Sequence, residues 1–229
     1  MKKSAVVLGG NADIGKYICK RLAESNYTVY CTYRGKKPIF SSTLKGLINI
    51  YRVDITNVNS INSFIKKLKD KNIQWDIFFS SVGTTEPIGP YFNSEIEIWN
   101  NCFFVNFNAQ INVLNHLYKI RNSERINDVI FMAGGGTNGT FDNYFAYTLA
   151  KIALIKFCEL IDSENKDMKF VIIGPGFVKT KTHQETINAG MRAGKNYSRV
   201  KKFIEEEKGT SLEKIFNVMQ WIIEQPKEI

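Results

Sequence analysis

Histidine, cysteine and proline are scarce in this chain of 229 residues, which has two, four and five of them. Cys19, Cys31, Cys102 and Cys158 lie far apart, with no CxxC spacing and no histidine beside them to complete a metal site. They read as reduced, mostly buried thiols, so no metal and a cytoplasmic location are expected. No apolar run approaches the roughly 20 residues that a membrane helix needs, which argues against a membrane partner. Lys2 and Lys3 before an apolar stretch imitate the start of a signal peptide, but the stretch breaks at Gly9 and fits a first strand instead. Long runs of one charge are missing too. The net charge of +9 comes from 31 Lys and Arg against 22 Asp and Glu, and the basic residues are scattered in short clusters. That scatter fits a solvated surface rather than a nucleic-acid footprint. Repeats, low-complexity tracts and linkers are also lacking, so one domain over 1–229 is expected.

What the sequence does contain is an alternation. Short apolar runs at 4–8, 27–33, 47–53, 76–80, 128–132 and 169–173 have the length and composition of buried strands. Helical patterns lie between them. Ile14, Ile18 and Leu22 mark one helix face, and 57–69 turns Ile61, Phe64, Ile65 and Leu68 inward. The stretch 95–118 reads as one long helix apolar on more than one face, which needs two partners. A helix carrying Tyr147 and Lys151 continues to Ile161, and a last one spans 212–223, after a loosely patterned polar stretch at 180–208. The spacing predicts an α/β fold: a doubly wound parallel sheet of six or seven strands in three α/β/α layers.

After the first strand comes Gly9-Gly10-Asn11-Ala12-Asp13-Ile14-Gly15. Glycines between a strand and a helix let backbone approach a pyrophosphate and aim helix N–H groups at its charge, although strict GxGxxG spacing is absent. Asp13 is awkward beside phosphate, and is expected to be occupied as the N-cap of the following helix. The second strand ends in Thr32-Tyr33-Arg34-Gly35-Lys36-Lys37, where an NAD site would usually place an acid against the ribose hydroxyls. Arg34 suits a 2′-phosphate by charge and by its planar fork of donors, so NADP(H) is favoured, with NAD(H) possible.

Tyr147 and Lys151, four residues apart, share one helix face. A tyrosine has a pKa near 10 and works poorly as acid or base at neutral pH unless a cation lies close, and Lys151 is placed to be that cation. With these landmarks in order, the chain resembles the short-chain dehydrogenase/reductase family over nearly its whole length, Tyr147-x-x-x-Lys151 fitting the family's active-site motif. Gly9, Ile14 and Gly15 match its TGxxxGIG turn, with Leu8 for the threonine and Asp13 for the middle glycine. Asn11 falls within that turn. The resemblance implies a Rossmann fold. It places Asp54, followed by Ile55, near an adenine ring, and Ser80-Ser81-Val82-Gly83 where the family has NNAG. Asn106 matches the asparagine that holds a water for proton relay. Pro175-Gly176 and Thr180, with Val178 between, match the PGxxxT that meets the nicotinamide, and 180–208 becomes a substrate-covering segment.

The departure lies before the tyrosine. The family places a serine about thirteen residues upstream to hydrogen-bond the substrate oxygen, and this chain has Ala133-Gly134-Gly135-Gly136-Thr137 there. Thr137 is the nearest substitute, with Ser80 and Ser81 as others, against the alternative that Thr137 bonds its own turn. His116 reads as a packed helix residue; for His183 surface and site are both open. The implied chemistry is hydride transfer between a nicotinamide and a carbonyl or alcohol substrate. Tyr147 would be acid or base, with Lys151 lowering its pKa and binding the nicotinamide ribose. A keto-sugar is the substrate suggested by likeness to surface-sugar reductases. A catalytically impaired NADP-binding sensor or partner subunit is the alternative. The apolar stripe of the helices at 95–118 and 144–161, with Phe103, Phe107, Ile111 and Phe157, predicts a homo-oligomer. The end of the chain at 225–229 lacks a seventh-strand run, which favours a homodimer over a homotetramer.

Overall fold

The computed structural model describes residues 2–206 and 208–227. The strands are β1 (Ser4–Leu8), β2 (Thr28–Tyr33), β3 (Ile48–Arg52), β4 (Ile77–Ser80), β5 (Asn127–Met132) and β6 (Met168–Ile173). They form one parallel sheet in the order β3-β2-β1-β4-β5-β6. β1 and β4 therefore flank the point where the chain direction across the sheet reverses, and a ligand site is expected beyond their carboxyl ends.

Both faces of the sheet are buried. On one, α2 (Val58–Lys69), α4 (Ala109–Tyr118) and α5 (Phe145–Glu164) enclose Val6, Phe78, Val129 and Phe131. On the other, α1 (Asp13–Glu24) and α8 (Leu212–Glu224) enclose Val7, Val29, Phe79 and Ile130. Neighbouring residues of one strand thus feed opposite cores, which is why these strands read as continuous apolar runs rather than alternating ones.

Two elements differ from the sequence reading. The helix expected to run unbroken over 95–118 is α3 (Ile96–Phe103), a π-helical turn at Phe104–Asn108, and α4. The polar stretch at 180–208 is helical: α6 (Lys181–Ala189), a 3-10 turn at Gly190–Ala193 and α7 (Lys195–Glu205). Glu207 of that stretch, and Glu228 and Ile229, where a seventh strand is sought, lie outside the described residues. Ile88, Tyr144, Ala189 and Ala193 form a small third core that seats α6 and its turn on the main body.

The oligomer reading needs a correction in its residues. Phe107, Ile111 and Phe157 pack against this chain's own core, and Phe103 lies in a ring series running from Trp99 to Phe107 and on to Phe157. The most exposed apolar side chains of α3, the π turn and α5 are others: Ile96, Ile98, Phe104, Phe145, Leu149, Ile152 and Leu160.

Candidate active site

One cleft of about 930 Å³ opens at the carboxyl ends of the strands, a volume within the usual range for a small-ligand site. Its first wall is the turn after β1. A Cβ on Gly10 would stand 2.0 Å from the Cys31 Sγ, and one on Gly15 would stand 2.3 Å from the Gly9 oxygen, so helix α1 is pressed onto the strand ends with no room for a side chain. Asn11, Ala12, Asp13 and Ile14 line the cleft, and no side chain caps α1 at Ala12. The first N–H groups of a helix have no intrahelical partner, so this uncapped end fits an anion such as a pyrophosphate. Asp13 does not cap its own helix, as the sequence suggests. It is the first residue of α1, and its Oδ2 accepts instead from the Lys181 N–H at the start of α6, at 3.2 Å.

Arg34, exposed at the end of β2, lines the next part of the cleft with Thr32 and Tyr33. Asp54 does not line it, although Val53, Ile55 and Thr56 do. Its carboxylate accepts from the Thr56 N–H at 3.0 Å and hydroxyl at 2.7 Å, closing a turn. Burial works to raise its pKa, but these bonds and the Arg34 charge outweigh it, and the net direction is down. Ser81, Val82 and Gly83 line the floor. Ser81 Oγ donates to the Leu8 carbonyl at 3.2 Å, tying β4 to β1, and Ser80 Oγ is buried against Gln110 Oε1 at 2.6 Å, so neither hydroxyl is free to replace the missing serine.

Tyr147 and Lys151, on α5, meet the cleft at its centre. The Lys151 ammonium lies 5.8 Å from the Tyr147 ring centroid and donates to the Met132 carbonyl at 2.9 Å. Burial lowers its pKa from 10.5 to about 8, against a smaller opposing effect of Cys102. The expected lowering of the Tyr147 pKa is not what this arrangement produces. Burial, followed by the charges of Cys102 and Glu185, raises it well above 10, so Tyr147 is held as a protonated phenol. Its ring fills the space vacated by the missing serine: a Cβ on Gly134 would stand 2.2 Å from the Tyr147 hydroxyl.

Thr137 lines the cleft, but its hydroxyl donates to the Gly134 carbonyl at 3.4 Å, the turn-closing arrangement. Asn106 is fully buried and does not line the cleft. Its amide donates to the Thr84 and Cys102 carbonyls, each at 2.8 Å, and its own carbonyl accepts from Gln110 at 2.7 Å. These partners and the π turn make Asn106 a strut for the loop after β4. Gln110, which the sequence reading misses, ties Asn106 to Ser80; its signal is only the spacing of four residues on one buried helix face.

Pro175, Gly176, Val178 and Thr180 line the wall toward α6. There the His183 ring stacks on Phe177 with centroids 3.9 Å apart, and Phe177 stacks on Phe203 of α7 at 4.6 Å. Burial lowers the His183 pKa from its ordinary 6.5, against the smaller opposing effect of a hydrogen bond to the Val178 backbone. His116 lies in a helix turn against the Asn112 carbonyl at 2.8 Å. Among the described residues no group of three or more His, Cys, Asp or Glu could hold a metal ion, and no helix is long and apolar enough to cross a membrane.

The chain is similar to an uncharacterized oxidoreductase of Schizosaccharomyces pombe, with 25% identity over 193 residues that cover 80% of this chain and 76% of the relative. It is similar in the same degree, 25% over 198 residues, to benzil reductase ((S)-benzoin forming) of Saccharomyces cerevisiae, covering 81% and 75% of the two chains. In fold it superposes on the crystal structure of an actinorhodin polyketide ketoreductase variant with NADPH, with a TM-score of 0.82 at 16% identity over 97% of this chain and 90% of the other. The model of the short chain dehydrogenase family matches residues 3–208, from the first strand through both helices over the cleft, and this chain belongs to that family.

Proposed function

We propose that this protein is an NADP(H)-dependent carbonyl reductase, with hydride delivered to a carbonyl carbon and a proton to its oxygen. The observation that carries the reading is Tyr147, held protonated beside the Lys151 ammonium in the centre of the cleft. A bound nicotinamide supplies the hydride. Tyr147 gives its proton to the substrate oxygen; burial keeps the phenol protonated but also makes it a weaker acid, so the transfer depends on the charge of Lys151. Lys151, anchored on the Met132 carbonyl, provides the positive charge that favours the phenolate left behind. The glycine-rich cradle and the uncapped α1 end would hold the pyrophosphate, and Arg34, exposed on the cleft edge with no acidic residue at the end of β2, would take the 2′-phosphate. Thr137, or a backbone N–H of the glycine run, gives the substrate oxygen its second donor; Thr137 must first release Gly134.

The test is oxidation of NADPH and NADH, followed spectroscopically with a panel of ketones. Tyr147→Phe is expected to abolish turnover while leaving NADPH affinity within a few fold, because the ring still packs and only the donor is lost. Appreciable turnover by that variant would move the proton source elsewhere. Tighter binding of NADH than NADPH would remove the role given to Arg34.

A further inference from the structure

Glu185 has no part in the chemistry proposed above, yet it lines the same cleft as Tyr147. It reaches from α6 to the loop after β4, where Oε2 accepts from the Thr85 N–H at 3.2 Å and the Thr85 hydroxyl at 2.5 Å. The side chain is 20% exposed. Its other oxygen, Oε1, has one weak contact, the Lys181 ammonium at 3.8 Å, and that lysine side chain is 84% exposed, so solvent competes for it. The Glu185 charge is felt at three places around this end of the cleft, raising the pKa of Tyr147, Cys102 and Tyr144. The other charged or titratable groups nearby do not neutralise it directly. Lys151 is spent on Met132, Arg192 lies against Glu86 at 3.9 Å, and Arg199 stands over Phe203 at 5.9 Å. A carboxylate here makes Tyr147 a weaker acid, which is a cost to proton donation unless the carboxylate serves the substrate.

We propose that Glu185 selects the substrate: Oε1 accepts a hydrogen bond from a hydroxyl or ammonium on the carbon next to the reacting carbonyl, and the same charge turns away ketones carrying a carboxylate there. The proposal rests on the carbonyl-reductase reading and names the substrate class for that site, α-hydroxy and α-amino ketones. The two Thr85 bonds hold the carboxylate in place, so that its other oxygen, met only by the exposed Lys181 ammonium, is presented with little ordering cost at binding.

Four ketones of nearly one shape test it: phenacyl alcohol, phenacylamine, phenylglyoxylate and acetophenone. For the unaltered protein, kcat/KM with NADPH is expected to be at least about tenfold higher for the alcohol and the amine than for acetophenone, and lowest for phenylglyoxylate. Glu185→Gln keeps an acceptor and is expected to retain the preference for the alcohol while losing that for the amine. Glu185→Ala is expected to lose both. A merely structural role in holding α6 would lower all four rates together and leave their ratios unchanged, which would overturn the proposal. Calorimetric titration of the same ketones into the NADP+-saturated protein and into Glu185→Ala reads selection without turnover. Equal affinities across the set would overturn the Glu185 assignment even if NADPH is consumed. Selective binding that Glu185→Ala abolishes, without consumption of NADPH, would uphold it and overturn the reductase reading instead.

Discussion

At Gly134 the space that a side chain would need is taken by the Tyr147 hydroxyl, 2.2 Å from where a Cβ would stand. Putting back the serine that the family carries here is therefore expected to harm this protein. Gly134→Ser must displace the tyrosine ring or strain the β5 end, a cost of about 1–3 kcal/mol for overpacking. A kcat at least about tenfold lower is expected, and a higher kcat would show that Tyr147 swings clear and that the family arrangement is recoverable. Lys151 gives a second prediction. Burial places its pKa in the fold at about 8, against an ordinary 10.5. The unfolded chain thus binds more protons between those values, and stability rises with pH across that window and is lowest below it. Turnover should run the other way, falling as pH rises through about 8, because the ammonium that supports Tyr147 is lost. Lys151→Met is expected to raise the melting temperature near pH 7 while abolishing turnover; a pH-independent kcat between about 7 and 9 would show that the charge is not needed. Tyr147 and Lys151 were legible from sequence because four residues on one helix fix their relative placement. The turn-closing alternative for Thr137 was legible for the same reason, its partner Gly134 being three residues away. Asp13 was not, since its partner is backbone that arrives from elsewhere, the start of α6, 168 residues away.

Among the elements, the strands and α1, α2, α5 and α8 are readable because each buries one clear face or a continuous run. The π turn at Phe104–Asn108 is not, because the apolar residues continue through it without a break in composition. Its trace is chemical: Asn106 Nδ2 takes the Cys102 carbonyl, one of the backbone acceptors near the wide turn. Helices α6 and α7 escape notice for another reason. The residues they bury, Thr186 and Ala189 in α6 and Asn196 and Val200 in α7, are mostly small or polar, so the apolar signal along the sequence is weak. What seats these helices is the Phe177, His183 and Phe203 stack. Phe203→Ala is expected to raise the KM for the ketone severalfold and to speed amide exchange in α6 and α7, with NADPH affinity unchanged. Unchanged exchange would mean that the third core around Tyr144 holds these helices by itself.

For the molecule as a whole, the alternation of strand and helix made the doubly wound parallel sheet readable, while the order of its six strands comes from the structure. The outer surface was read only in part. The choice of Phe103, Phe107, Ile111 and Phe157 as the exposed stripe holds only in part, because α3 and α5 pack on each other and leave these side chains partly buried within the chain. Phe145, Leu149 and Ile152 recur at helical spacing along the outward side of α5 and remain exposed, as do Ile98 and Phe104. Exposed apolar side chains recurring along one helix are what an interface covers, and a second copy of this chain is the proposed cover. Sedimentation at micromolar concentration is expected to show a dimer, and Leu149→Asp with Ile152→Asp a monomer; a monomeric unaltered protein would refute the pairing.

The hydrogen bond from the Lys181 N–H to Asp13 has a thermodynamic consequence of its own. It makes one carboxylate at the mouth of the first turn the cap of the helix that roofs the other half of the cleft. Whatever occupies that turn and shifts Asp13 alters the stability of α6, and by reciprocity whatever orders α6 alters occupancy of the turn by the same free energy. Binding at the two halves of the cleft is therefore expected to be coupled, two ends of one equilibrium joined through a single side chain.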